Sequence, residues 1–258
     1  MIAGSVLALL ALAVATTAIG GDIAPGERRS GYEFMSPQTR AMQDDEITGP
    51  AVFALAEGEN LWARTEGAAG KSCASCHGEV KQSMKGVAAR YPAFDEKLGK
   101  PLTLEQRIVR CRTERQGAEA FAPESRELLA LTAVVGRASR GMAIAPDEDP
   151  RSRSHRDAGA AIFRRRMGQL NLSCAQCHDD NWGKSLAGSR LPQGHATGYP
   201  IYRLEWQGMG SFTRRIRACM TGVRAVPFNW GSEELVDLEM YLMARAQGMK
   251  IETPAVRP

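Results

Sequence analysis

Four of the six cysteines in this chain fall into two copies of one pattern, GKSCASCHGE over 70–79 and NLSCAQCHDD over 171–180. Each copy is Cys-x-x-Cys-His. In one tight helical turn, cysteines at i and i+3 reach two vinyl groups of a single porphyrin as thioethers, and the histidine at i+4 lies beneath the iron. A zinc site would pair two such cysteine motifs in one tetrahedral cage. A redox dithiol would not need histidine in the same place twice. The chain is thus expected to carry two covalently bound haem c groups (iron). Cys73, Cys76 and His77 are the candidates for the first, and Cys174, Cys177 and His178 for the second.

The other two cysteines, Cys111 and Cys219, stand 38 and 45 positions after the first cysteine of their motifs. They end matching segments, RIVRC (107–111) and RIRAC (215–219), so each is a candidate second metal ligand, one per haem. Two other roles stay open at this point, a Cys111–Cys219 disulfide, natural in an oxidising compartment, and burial as inert apolar side chains. Met84, Met209 and Met220, which would raise a haem potential as ligands, have no equivalent places in the two copies, and neither have His155 and His195. An arginine precedes each lone cysteine by four residues, Arg107 and Arg215, on the same helical face, and its charge favours thiolate. Around Cys219 the run TRRIRACMTGVR adds Arg214, Arg217 and Arg224, a cationic mouth suited to an anion.

These residues are set by a repeat. At an offset of 101, Gly58, Leu61 and Trp62 align with Gly159, Ile162 and Phe163, so a helix precedes each motif. After the motifs the offset is 108: YPAF (91–94) matches YPIY (199–202), and each tyrosine lies twenty residues before its lone cysteine. SRELLAL (125–131) and SEELVDL (232–238) each read as a serine cap opening a terminal amphipathic helix. Seven extra residues between Cys177 and Tyr199 account for the change of offset. The expected fold is mostly α, two tandem cytochrome c-like haem domains over 51–145 and 156–258, with an N-terminal extension over 21–50 and a Pro-rich, charged linker over 146–155.

The first twenty residues, uncharged and apolar from Ile2 to Ile19, read as a signal peptide that lacks the usual basic start. They imply export to the periplasm, where c-type haem is attached; a retained membrane anchor is the alternative. Net charge is only +4 with acids and bases interspersed, so composition does not point to nucleic acid. Aromatic residues make up 6% of the chain, and porphyrins would supply the missing apolar mass of two small, loop-rich units.

Two Cys-x-x-Cys-His motifs, the paired RIxxC segments and SGYEFMSPQTRAMQDDE at 30–46 together resemble the SoxA family, the dihaem subunits of the SoxAX cytochromes of the periplasmic sulfur-oxidising system. The likeness runs from about residue 30 to 245. It implies an enzyme, an L-cysteine S-thiosulfotransferase, that joins thiosulfate to a cysteine of the carrier SoxYZ and passes two electrons to a monohaem partner, SoxX. Carried over by the resemblance, Cys219 is both the distal ligand of the active second haem and the catalytic sulfur, found in the family as a persulfide. Arg215 would hold the dianion, and Cys111 would complete the first haem with His77. The competing expectations are a dihaem electron-transfer protein and a dihaem peroxidase.

Overall fold

The computed structural model describes residues 23–258; the segment read as a signal peptide lies outside them. Among the described residues no helix is long and apolar enough to cross a membrane. The N-terminal extension contributes α1 (Pro37–Asp44), and the first unit follows with α2 (Val52–Ala63), α3 (Cys73–His77), α4 (Val80–Ser83), the hairpin β1 (Ala93–Asp95) and β2 (Lys100–Leu102), α5 (Leu104–Cys111) and α6 (Arg126–Arg137). The second unit has α7 (Arg153–Arg164), α8 (Cys174–His178), the small hairpin β3 (Ser185–Leu186) and β4 (Ser189–Arg190), β5 (Ile201–Arg203), β6 (Gly208–Gly210), α9 (Phe212–Gly222), α10 (Glu233–Arg245) and β7 (Ala255–Arg257). Among the described residues strands occur only as short pieces, and β5 is flanked by antiparallel β6 and parallel β7.

Each unit is held by its first and last long helices, α2 against α6 and α7 against α10. Leu61, Trp62, Ala130, Leu131 and Val134 form one core; Ile162, Phe163, Leu235, Leu238 and Leu242 form the other. A glycine allows each crossing. A β-carbon on Gly58 would meet the backbone oxygen of Ala130, and one on Gly159 the backbone oxygen of Asp237. Alanine is the better helix former by about 1 kcal/mol, so Gly159→Ala tests the close approach by sign. We expect a net loss of about 1–3 kcal/mol from overpacking, read as a melting temperature lowered by roughly 2–10 °C. An unchanged or raised melting temperature would refute the tight crossing.

The terminal helices begin differently. The Ser125 hydroxyl accepts from Leu128 N, as expected of a cap. Ser232 occupies the cap position of α10 but its hydroxyl accepts no backbone N–H there. Helix α7 starts inside the stretch read as linker, because Asp149 caps a single turn at Pro150–Ser152 that runs directly into Arg153.

The two units also share contacts. Ala89 and Ile144 pack with Ala196, Met243 and Ile251 in a third cluster. The extension ties to both. Arg29 N donates to Gln193 Oε1 (2.6 Å), Val256 N donates to Gln43 Oε1 (3.1 Å), and Arg137 pairs with Glu46 (2.8 Å).

Candidate active site

In both units the Cys-x-x-Cys-His segment is one helical turn closed by a reciprocal cap, Ser72 with Ser75 and Ser173 with Gln176. Thus Cys73, Cys76 and His77 project from α3, and Cys174, Cys177 and His178 from α8. The Trp62 ring lies 5.8 Å from that of His77, and the Phe163 ring 6.4 Å from that of His178. Cover differs between the copies. Cys76 and His77 are exposed, whereas Cys177 and His178 are half-buried. The inserted segment of the second unit supplies the cover. Pro192 O lies 2.7 Å from His178 Nδ1, and a β-carbon on Gly194, whose φ is +77°, would come within 3.1 Å of the ring. A proton held at Nδ1 by that carbonyl leaves Nε2 for a metal. Asp179, directly after the motif, is fixed at 2.6 Å by Arg245, and both side chains are almost wholly buried.

Helix α9 carries the opposite side of the second site. Ser211 caps it, and Phe212, Ile216 and Met220 form its core stripe at i, i+4, i+8. Arg215 and Cys219 lie on the adjoining face. The helix is also anchored from the other unit: Glu124, just before α6, accepts from Ser211 N at 3.3 Å. The sequence offers no periodic signal for that contact.

All six cysteines are free, which removes the disulfide between Cys111 and Cys219. Each lies instead near its own motif. Negative charge on Cys219 would push up the thiols of Cys174 and Cys177, and charge on Cys111 would do the same to Cys73, in each case adding to burial. Burial works against ionising Cys219, but a hydrogen bond with His178, the charge of Arg215, that of His178 and that of Arg203 together hold its thiol at about 7. The Cys219 sulfur and the His178 imidazole therefore face each other across one site. A thiolate opposite an imidazole, above two cysteines spaced for thioethers, is a donor set that fits haem c. In the first unit a cavity of about 330 Å³, lined by Tyr91, Leu102 and Cys111 among others, adjoins the equivalent thiol.

The expected cationic mouth is smaller than the sequence suggested. On a helix of 3.6 residues per turn, positions 214 and 217 point away from the 215/219 face. Arg214 stacks on Trp206 at 4.2 Å and Arg217 on Trp230 at 4.4 Å. Arg203 on β5 and the half-buried Tyr199 take their place near Cys219. Sequence reasoning missed both roles, although the 108-residue offset already aligned Tyr199 with Tyr91. Met220 is a core residue of the second unit, and Met84 packs partly buried against the core of the first. His155 lies 2.7 Å from Asp237, and His195 Nε2 lies 3.2 Å from Gln193.

Two tandem helical units, each built around a Cys-x-x-Cys-His turn with a lone cysteine near it, define a protein of two cytochrome c domains. The family model of the SoxA/TsdA cytochrome c domain matches residues 57–144 and 158–251. The L-cysteine S-thiosulfotransferase subunit SoxA of Pseudaminobacter salicylatoxidans is 38% identical over 232 residues, 90% of this chain and 81% of that protein. Its counterpart in Rhodovulum sulfidophilum is also 38% identical, over 90% of this chain and 80% of that protein. The crystal structure of SoxXA from P. pantotrophus superposes with a TM-score of 0.86 at 35% identity, covering 90% of this chain and 87% of that chain. The chain belongs to the SoxA family.

Proposed function

We propose that this chain is the catalytic subunit of an L-cysteine S-thiosulfotransferase, joining thiosulfate to a cysteine of a SoxYZ-type carrier. The observation that carries this reading is the placement of Cys219, facing His178 and i+4 from Arg215 in a half-buried site. In the balanced reaction an S–S bond forms between the sulfane sulfur of thiosulfate and the carrier cysteine. The thiol S–H bond breaks, one proton leaves, and two electrons are released. Haem c, when bound, supplies the one-electron acceptors this oxidation needs.

The chain's own residues do the rest. Cys73 and Cys76, and Cys174 and Cys177, are the attachment sites of two covalent haems; His77 with Cys111, and His178 with Cys219, are the metal ligands. Cys219 is also the catalytic sulfur. Pro192 O fixes the tautomer and plane of His178. Arg215 neutralises a dianion that an electron-rich thiolate would otherwise repel, and its fork suits sulfonate oxygens. Arg215 stays charged although burial opposes it, because Cys219, Tyr199 and Glu205 all favour the cation. The electrons leave through a monohaem SoxX-type partner, and the complex works in the periplasm after removal of the apolar leader.

Intact mass of the protein exported from a host competent in c-type haem attachment tests this assignment. We expect loss of the leader and the added mass of two haems. One haem would remove the first unit from the reading, and none would overturn the covalent attachment.

A further inference from the structure

The two units are not electrostatically equivalent where their lone cysteines are. At the 108-residue offset, Asp95 occupies the position of Arg203, Lys97 that of Glu205, and Arg110 that of Ala218. The match is also structural, since Asp95 ends β1 and Arg203 ends β5, each strand following its Tyr–Pro pair. In the first unit Asp95 Oδ2 takes both nearby guanidiniums, Arg107 at 2.9 Å and Arg110 at 2.6 Å. The arginine four residues before Cys111 is thereby already paired with a carboxylate. In the second unit the equivalent residue is itself a cation, and the carboxylate whose charge reaches Arg215, that of Glu205, is held by Arg203.

Arg203 is built into the site. Its side chain is only 14% exposed, and its guanidinium lies 5.3 Å from the Trp206 ring centre. Nε donates to Glu205 at 2.7 Å, with Nη2 on the same carboxylate. That carboxylate is 64% exposed and occupies the outer edge of the fork, which leaves Nη1 for a further acceptor. Its charge, like that of Arg215, reaches both the Cys219 sulfur and the Tyr199 hydroxyl.

We infer that Arg203 and Arg215 together clamp a divalent sulfur oxyanion beside Cys219, and that Asp95 denies the first unit an equivalent anion site. The inference rests on the reaction proposed above and names a second residue that touches its substrate. One guanidinium would leave a dianion half-neutralised in a partly desolvated site, where uncompensated charge is costly. Two forks match both the charge and the several oxygens of a sulfonate group.

The test uses the full holoprotein with its cytochrome partner and carrier, and compares wild type, Arg203→Ala, Arg203→Lys and Glu205→Gln. Thiosulfate KM and kcat are measured, together with the inhibition constant of sulfate, a dianion of similar shape without the sulfane sulfur. For Arg203→Ala we expect KM and the sulfate constant to rise together by about tenfold, the loss of one charge-assisted contact, with kcat falling less. Lysine should restore part of the affinity, as a point charge without the fork. Glu205→Gln, which releases the fork, should tighten sulfate. Unchanged KM and sulfate inhibition in Arg203→Ala beside active wild type would overturn the clamp and leave the reaction intact. Sulfate and thiosulfate binding that weakens in Arg203→Ala, without transfer to the carrier by wild type, would sustain the clamp and overturn the reaction. If Arg203→Ala does not fold, Glu205→Gln decides: sulfate bound no tighter than by wild type refutes the inference.

Discussion

Cys219→Ala is expected to abolish thiosulfate transfer to the carrier, by roughly three orders of magnitude or more, as removal of a reacting sulfur does. Cys111→Ala, by contrast, should keep most of the activity and chiefly alter the spectrum and potential of the first haem. The repeat makes the two thiols topological equals, since each ends its RIxxC segment twenty residues after a cis Tyr–Pro bond. Their surroundings separate them. Cys219 lies between His178, Arg215 and Arg203, whereas the arginine beside Cys111 is bound to Asp95. The comparison is steady-state reduction of an electron acceptor with thiosulfate, carrier and cytochrome partner, alongside haem content. Transfer that survives Cys219→Ala would reduce the second site to an electron-transfer centre.

Arg215→Ala should lower kcat/KM for thiosulfate by about ten- to a hundredfold, the equivalent of one lost charge-assisted contact. Both haems and the fold should persist. Arg215 adjoins the core stripe of α9 but does not form it; Phe212, Ile216 and Met220 do. Arg215→Lys should recover part of the loss by restoring charge without the bidentate fork. Loss of haem in Arg215→Ala would show a structural role instead, and unchanged kinetics would remove Arg215 from the substrate site.

Much of this architecture is legible in the sequence because the chain states it twice. The pairing of Gly58 with Gly159, and of the RIxxC segments, is enough to place the crossing helices and the helices α5 and α9. The reach of Cys219 toward His178 follows from the same duplication. The contacts that differ between copies, or that join them, are harder to read. Glu124 caps α9 from the other unit across 87 positions of sequence, and no local pattern marks it. The hold of Pro192 on His178 comes from the segment present in one copy only. Arg214, Arg217 and Arg224 read as a cluster because they are close in sequence, but helix rotation turns 214 and 217 from the face they were assigned to. Arg203 is illegible for the converse reason: it approaches Cys219 from β5, with no local pattern linking it to α9, and its meaning lies in the contrast with Asp95.

A thiosulfotransferase changes the covalent state of a carrier cysteine, whereas an electron relay leaves that cysteine as it was. Mass spectrometry of the carrier separates the two most directly, after incubation with thiosulfate, the purified chain, its cytochrome partner and an electron acceptor. The expected result is a carrier cysteine bearing one thiosulfonate adduct for every two electrons delivered to the acceptor, with neither product formed by Cys219→Ala. Reduction of the acceptor with the carrier cysteine unmodified would contradict the proposed transfer.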